Sequence, residues 1–150
     1  MGMGAVMLQK FINRFLRFQP IGGAWKYLHR WTLFRTPSWF PVDWRLYLHH
    51  FVGDDWSRDM HDHPKRFISI GLKGRYIEHT PNVLPVEYRA PWIRSFPALH
   101  THRLTLSPKC RSCWTLVLVL TPIRDWGFHT RDGWVQWERY VSEKMTEGET

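Results

Sequence analysis

The 150-residue chain is 43% apolar and 16% aromatic, with ten tryptophans, a composition that excludes a disordered chain and suits one domain around one core. Its net charge of +8 is uneven: residues 1–50 carry seven Lys/Arg against Asp43 alone, and residues 51–150 carry fourteen against twelve Asp/Glu. No helix-turn-helix pattern, RNA-binding signature or basic run accompanies the charge, so no nucleic-acid partner is expected. No apolar run approaches a membrane span, so a membrane is not an expected partner. Two cysteines exclude a disulfide framework, and the lack of a secretory signal makes a cytoplasmic protein the expectation.

Residues 5–18 read as an amphipathic helix. Leu8, Phe11, Ile12, Phe15 and Leu16 fall on one face, with Lys10, Asn13, Arg14 and Arg17 opposite. The apolar stripe is expected to pack on the rest of the fold or on a partner subunit, which leaves room for a homodimer; a basic helix on a membrane surface is the alternative. Pro20 and Gly22-Gly23 end it. Short extended runs follow at 26–34, 44–51, 66–72, 74–80, 84–89, 92–96, 101–107, 113–121, 124–129 and 133–140, separated by turn residues. Residues 115–120, Thr-Leu-Val-Leu-Val-Leu, suit a central buried strand. So many strands without intervening helices predict an all-β sandwich or closed barrel. The expected organisation is a helix and connector over 1–24, a barrel over 25–145 and a frayed tail over 146–150.

Chemistry concentrates in Met60-His61-Asp62-His63-Pro64. In a strand, residues i and i+2 share a face, so His61 and His63 project together and can grip one ion, while Asp62 points away and is expected to stabilise the loop. Imidazole suits zinc, iron, nickel and copper. Cys110-Arg111-Ser112-Cys113 sits in a hairpin turn, without the helix N-terminus that activates a redox thiol, and reads as two inert turn cysteines.

The histidine pair resembles the first motif of the cupin family: His-x-His, three or four residues, Glu, six residues, Gly. From His63 that spacing reaches Phe67, where the glutamate is missing, and then Gly74, where the glycine is present. Pro97-Ala98-Leu99-His100-Thr101-His102 resembles the second motif, keeping its proline and final histidine but not its glycine. A fuller likeness is to small bacterial and phage cupins with His-Asp-His-Pro-aromatic-x-Phe, Gly-x-Tyr-x-Glu, His-Arg, Trp-Thr-Leu, Trp-Gly-Phe and Gly-Trp-Val-x-Trp. The chain matches at His61 to Pro64, Phe67, Gly74 to Glu78, His102-Arg103, Trp114 to Leu116, Trp126 to Phe128 and Gly133 to Trp137, with Lys65 where an aromatic is usual.

The resemblance implies a cupin or jelly-roll barrel with one divalent metal on His61, His63 and His102. Iron is the first expectation and zinc, nickel or manganese the others. An all-histidine triad is also similar to the thiol dioxygenase branch. Three protein ligands leave positions open, the layout of a catalytic site.

Further candidates surround this triad. His100 shares a strand face with His102 and either joins it or sits at the rim. Glu78 is a fourth ligand, a general base or a solvated strand residue. In 44–51, His49 and His50 lie on opposite faces, so one of them looks inward as ligand or acid–base group. Phe67, Tyr76, Trp114 and Arg103 are expected to line the pocket, and Arg66, Arg75, Arg94 or Arg103 to hold a carboxylate. The leading function is a metal-dependent, iron-type dioxygenase acting on a small, possibly anionic molecule. A non-catalytic ligand-binding cupin and a metal-assisted isomerase or hydrolase are the alternatives.

Overall fold

The computed structural model describes residues 17–22 and 26–146. Period-two alternation of aromatic and β-branched residues between turns produces strands, as expected. They are β1 (Arg17–Ile21), β2 (Leu28–Arg35), β3 (Arg45–Phe51), β4 (Met60–His61), β5 (Phe67–His79), β6 (Val86–Arg89), β7 (Trp92–Phe96), β8 (Arg103–Leu106), β9 (Cys113–Val119), β10 (Gly127–Thr130) and β11 (Gly133–Gln136), followed by the helix α1 (Trp137–Thr146). An eight-stranded sheet runs β1-β2-β3-β9-β5-β6, with β7 and β8 also paired to β5; a three-stranded sheet runs β11-β10-β4. Among the described residues the pairing thus gives two sheets rather than one closed ladder. No helix among them is long and apolar enough to cross a membrane.

The expected central strand is β9, held between β3 and β5. Its Cys113, Thr115 and Val117 are buried and alternate with half-buried neighbours. Cys113 joins Leu28, Phe51 and Tyr76 in the hydrophobic core. Burial pushes the Cys113 thiol up to about 12, while Cys110 Sγ donates to the Arg75 carbonyl at 3.3 Å, an arrangement that gives Cys113 no thiolate character for redox work.

Three sequence expectations about the elements are corrected. Residues 17–18, counted in the N-terminal helix, belong to β1, which pairs antiparallel with β2 from Arg17↔Thr32 to Ile21↔Leu28. Pro20 fits there because β1 is the outermost strand among the described residues and needs no outward donor. The apolar stripe Leu8, Phe11, Ile12, Phe15 and Leu16 lies outside the described residues. Residues 66–72 and 74–80 are one strand, β5, whose pairing with β9 shifts between Gly71 and Lys73. The motif glycine Gly74 has φ +88°, and a Cβ there would stand 2.2 Å from the Ser112 carbonyl oxygen, so the position admits only glycine without strain.

The third correction is at 133–140, where the strand stops at Gln136 and α1 begins. Gln136 Oε1 accepts the backbone N–H groups of Glu138 at 2.9 Å and Arg139 at 3.2 Å, doing the work of an N-cap with an uncommon residue. Glu138 in the first turn and Lys144 in the last suit the helix dipole. Stacking of Trp137 on Trp126 at 5.6 Å and of Tyr140, three residues later, on Phe128 at 4.0 Å docks the helix.

Candidate metal centre

Backbone hydrogen bonds bring the two histidine segments together. His61 N–H donates to the His102 carbonyl at 2.8 Å, His102 N–H returns to the His61 carbonyl at 2.9 Å, and His63 N–H reaches the Ala98 carbonyl at 3.0 Å. This isolated antiparallel bridge ties β4 to the residue before β8. Side chains two apart share a face, so His61 and His63 both meet His102, with ring centroids 5.1 and 4.9 Å from it. One nitrogen from each ring lies within 4.8 Å of the others.

His63 Nε2 and His102 Nε2 stand 3.0 Å apart. Two nitrogens about 2.1 Å from one ion stand about 3.0 Å apart at a right angle and about 3.4 Å at a tetrahedral angle. The observed separation therefore suits adjacent ligands of one ion as well as a hydrogen bond between neutral rings. Burial pulls all three rings below the usual histidine range, His102 to about 4. The neutral imidazole is the form that ligates, so the donor set fits a divalent metal.

Glu78 orients one of the three histidines. Its Oε1 accepts His102 Nδ1–H at 2.7 Å and His100 Nε2 at 2.9 Å, and its Oε2 accepts Arg94 at 2.6 Å. Burial pushes this carboxyl up, but the bonds from His100, His102 and Arg94 outweigh it and hold the group well below the usual carboxylate range. An ionised acceptor on Nδ1 fixes the His102 tautomer and leaves the Nε2 lone pair free. Glu78, His100 and His102 also form a compact donor group. Arg94 already neutralises that carboxylate, however, and a cation there would face it. The all-histidine group is therefore the better candidate for a metal, and Glu78 is buried rather than solvated. Glu78→Gln is expected to weaken metal affinity about 10–100-fold while leaving one metal per chain at saturation. A chelator-competition titration checks this, and unchanged affinity would contradict the orienting role.

Asp62 faces away, as alternation requires. It is 2% exposed, and it accepts Gly127 N–H at 2.9 Å, Trp134 Nε1 at 3.0 Å, His129 Nε2 at 3.2 Å and Arg124 Nη1 at 2.9 Å. Burial raises its carboxyl, but the bonds from Gly127, Arg124 and His129 prevail and lower it. The segment that carries His61 and His63 is thereby bolted to β10 and β11.

The histidines open on a cavity of about 660 Å³, within the usual range of small-molecule sites. Phe67 and Tyr76 line it, together with Phe96, Trp126 and Phe128. Phe67, standing where the motif has glutamate, packs on His63 and Phe96 at 4.6 Å each. Trp114 and Arg103 are corrections, because the cavity lining takes their strand neighbours Thr115, His102 and Leu104 instead. Trp114 stacks at 3.9 Å on His50, so both lie on the far face of the sheet. His49 is the inward member of its pair, but it accepts Arg30 Nε at 3.0 Å and stands outside the compact donor groups.

Sequence reasoning missed Asp55, Arg30 and the depth of Lys65, all of which line the cavity. Asp55 Oδ2 accepts Leu104 N–H at 2.8 Å and lies 3.9 Å from His61 Nδ1, beyond hydrogen-bond reach. Burial pushes the Asp55 carboxyl up, against the nearby His61 and the Leu104 N–H. The one available signal was its place in an acid-rich stretch beside the histidines.

No family model matches the sequence, and no curated protein matches it. Solved structures do. An RmlC-like cupin protein from Ralstonia eutropha superposes with TM-score 0.56 at 9% identity, covering 88% of this chain and 81% of that one. The polyketide cyclase RemF from Streptomyces resistomycificus gives 0.52 at 17%, covering 65% and 72%. Hydroxypropylphosphonic acid epoxidase from S. wedmorenis, which also has an Fe(II) structure, gives 0.54 at 12%, with 69% of this chain spanning 55% of that one. At these identities the likeness is one of fold, and the fold of this chain is that of the cupins.

Proposed function

We propose that the chain is a metal-dependent cupin enzyme acting on a small molecule, with iron-type dioxygenation as the reaction class and the jelly-roll barrel of that fold as its frame. The observation that carries the reading is the convergence of the His61, His63 and His102 nitrogens within 4.8 Å at the wall of an aromatic-lined cavity. The Fe(II) form of the epoxidase neighbour supports iron before zinc, nickel or manganese. A bound divalent metal supplies Lewis acidity and, as iron, the redox couple that oxygen chemistry needs. The protein's own part is to hold the His102 tautomer through Glu78, to keep water from the histidines with Phe67, Phe96, Trp126 and Phe128, and to orient the substrate.

One observation favours a second reading, metal-assisted isomerisation or hydrolysis. Asp55, rather than Glu78, His49, His50 or His100, is the titratable group set in the cavity beside His61 and free of a charged hydrogen-bond partner, the placement of a proton-transfer group. Iron(II), manganese, nickel and zinc forms should therefore be assayed with thiols and small carboxylates, with and without air. Oxygen consumption by the iron form is expected. Turnover without oxygen would favour the Asp55 reading, and ligand binding without turnover in any metal form would make the chain a binding module.

A further inference from the structure

The cavity has a second polar wall that the histidines do not use. Arg30 lies on β2 opposite His49 of β3 and lines the cavity. Its Nε donates to His49, and its guanidinium carbon sits 4.7 Å from the centre of the Tyr47 ring. Burial pulls it below the usual arginine range. Among the described residues no carboxylate pairs with it. Asp43 is the only acid in the first 53 residues, and its carboxylate is already held by Arg45 at 2.7 Å and Arg35 at 3.5 Å. Lys65, the departure from the aromatic usual at that position, lines the same cavity and has no ion pair among the described residues.

A desolvated guanidinium without a counter-charge is costly. With Nε given to His49, Nη1 and Nη2 remain as a planar fork of donors, the geometry that grips two oxygens of one anion. The arginines suggested by the sequence do not compete for this role. Arg94 is bound to Glu78 and Arg75 to Glu87, Arg66 is exposed, and Arg103 is absent from the cavity lining.

We propose that Arg30 and Lys65 form an oxyanion subsite that receives a carboxylate or phosphoryl group of the molecule admitted to the cavity. The inference rests on the cavity being the substrate site described above, and it names the substrate class as anionic. His49 is a positioning residue, since it holds the guanidinium edge and leaves the fork for the ligand.

Calorimetric titration of the full chain, metal-loaded and chelator-treated, with inorganic phosphate, succinate and neutral glycerol tests this. Saturable binding of phosphate or succinate is expected in both forms, and whichever binds tighter identifies the group. Glycerol should not compete. Arg30→Gln and Lys65→Gln should each weaken binding about tenfold or more, Arg30→Lys should weaken it less than Arg30→Gln, and metal content should stay at the wild-type level. Lys65→Gln keeps the test open if Arg30→Gln does not fold. Equal binding by wild type and both glutamine variants, or no saturable binding of either anion, overturns the subsite. Binding that requires the metal and ignores Arg30 also overturns it, while leaving the metal reading intact. Arg30-dependent binding in a protein that takes up no metal sinks the metal reading and supports the subsite.

Discussion

Replacing His102 by alanine is expected to lower bound divalent metal at least about tenfold while the chain stays folded. His102 is the node of the cluster, because its Nε2 faces His63 at 3.0 Å and its Nδ1–H is held by Glu78 at 2.7 Å. Removing it leaves two ligands where three are needed for a site with open positions. The fold should survive, since the bridge to His61 uses backbone groups alone and Glu78 keeps Arg94 and His100. Elemental analysis beside a thermal melt checks both halves. A variant with wild-type metal content would move the ion elsewhere; a variant that unfolds would mean His102 is mainly a packing residue.

Asp62→Ala is expected to cost stability instead, about 3 kcal/mol. The substitution strands the Gly127 N–H and Trp134 Nε1–H and removes the counter-charge of Arg124. Asp62→Asn, which can still accept but carries no charge, should cost roughly half as much. Both are measured by denaturant unfolding. Metal affinity should fall with Asp62→Ala even though Asp62 is not among the proposed ligands, because the His61–His63 segment loses its anchor to β10 and β11. A loss below about 1 kcal/mol would show that these bonds are replaced by water at little cost.

Much of the site could be read before the fold was seen, because it rests on local rules. The face shared by His61 and His63, and the opposite face of Asp62, follow from strand alternation alone. His102 came from spacing and resemblance, since no local rule joins residues about forty positions apart. Alternation also puts His49 and His50 on opposite faces, but it does not say which faces inward. The register does that: Arg30, His49 and Thr115 lie in one row, which sends His50 and Trp114 outward together. Glu78 looked solvated because the groups that bury it, Arg94 on β7 and His100 and His102 in the loop before β8, are remote in sequence. The helix α1 was hidden in a segment rich in strand-forming residues and capped by a glutamine. Arg30 read as one more basic residue until the strand order placed it in the cavity and Asp43 elsewhere.

Anomalous X-ray diffraction at the iron, nickel and zinc edges, on crystals of protein purified without added metal, tests the metal assignment most directly. One peak is expected about 2.0–2.2 Å from a nitrogen of each of His61, His63 and His102, with Glu78 still on His102 Nδ1 and no contact to the ion. A peak between Glu78, His100 and His102, or a well-ordered site with no peak after soaking in each metal, would contradict it.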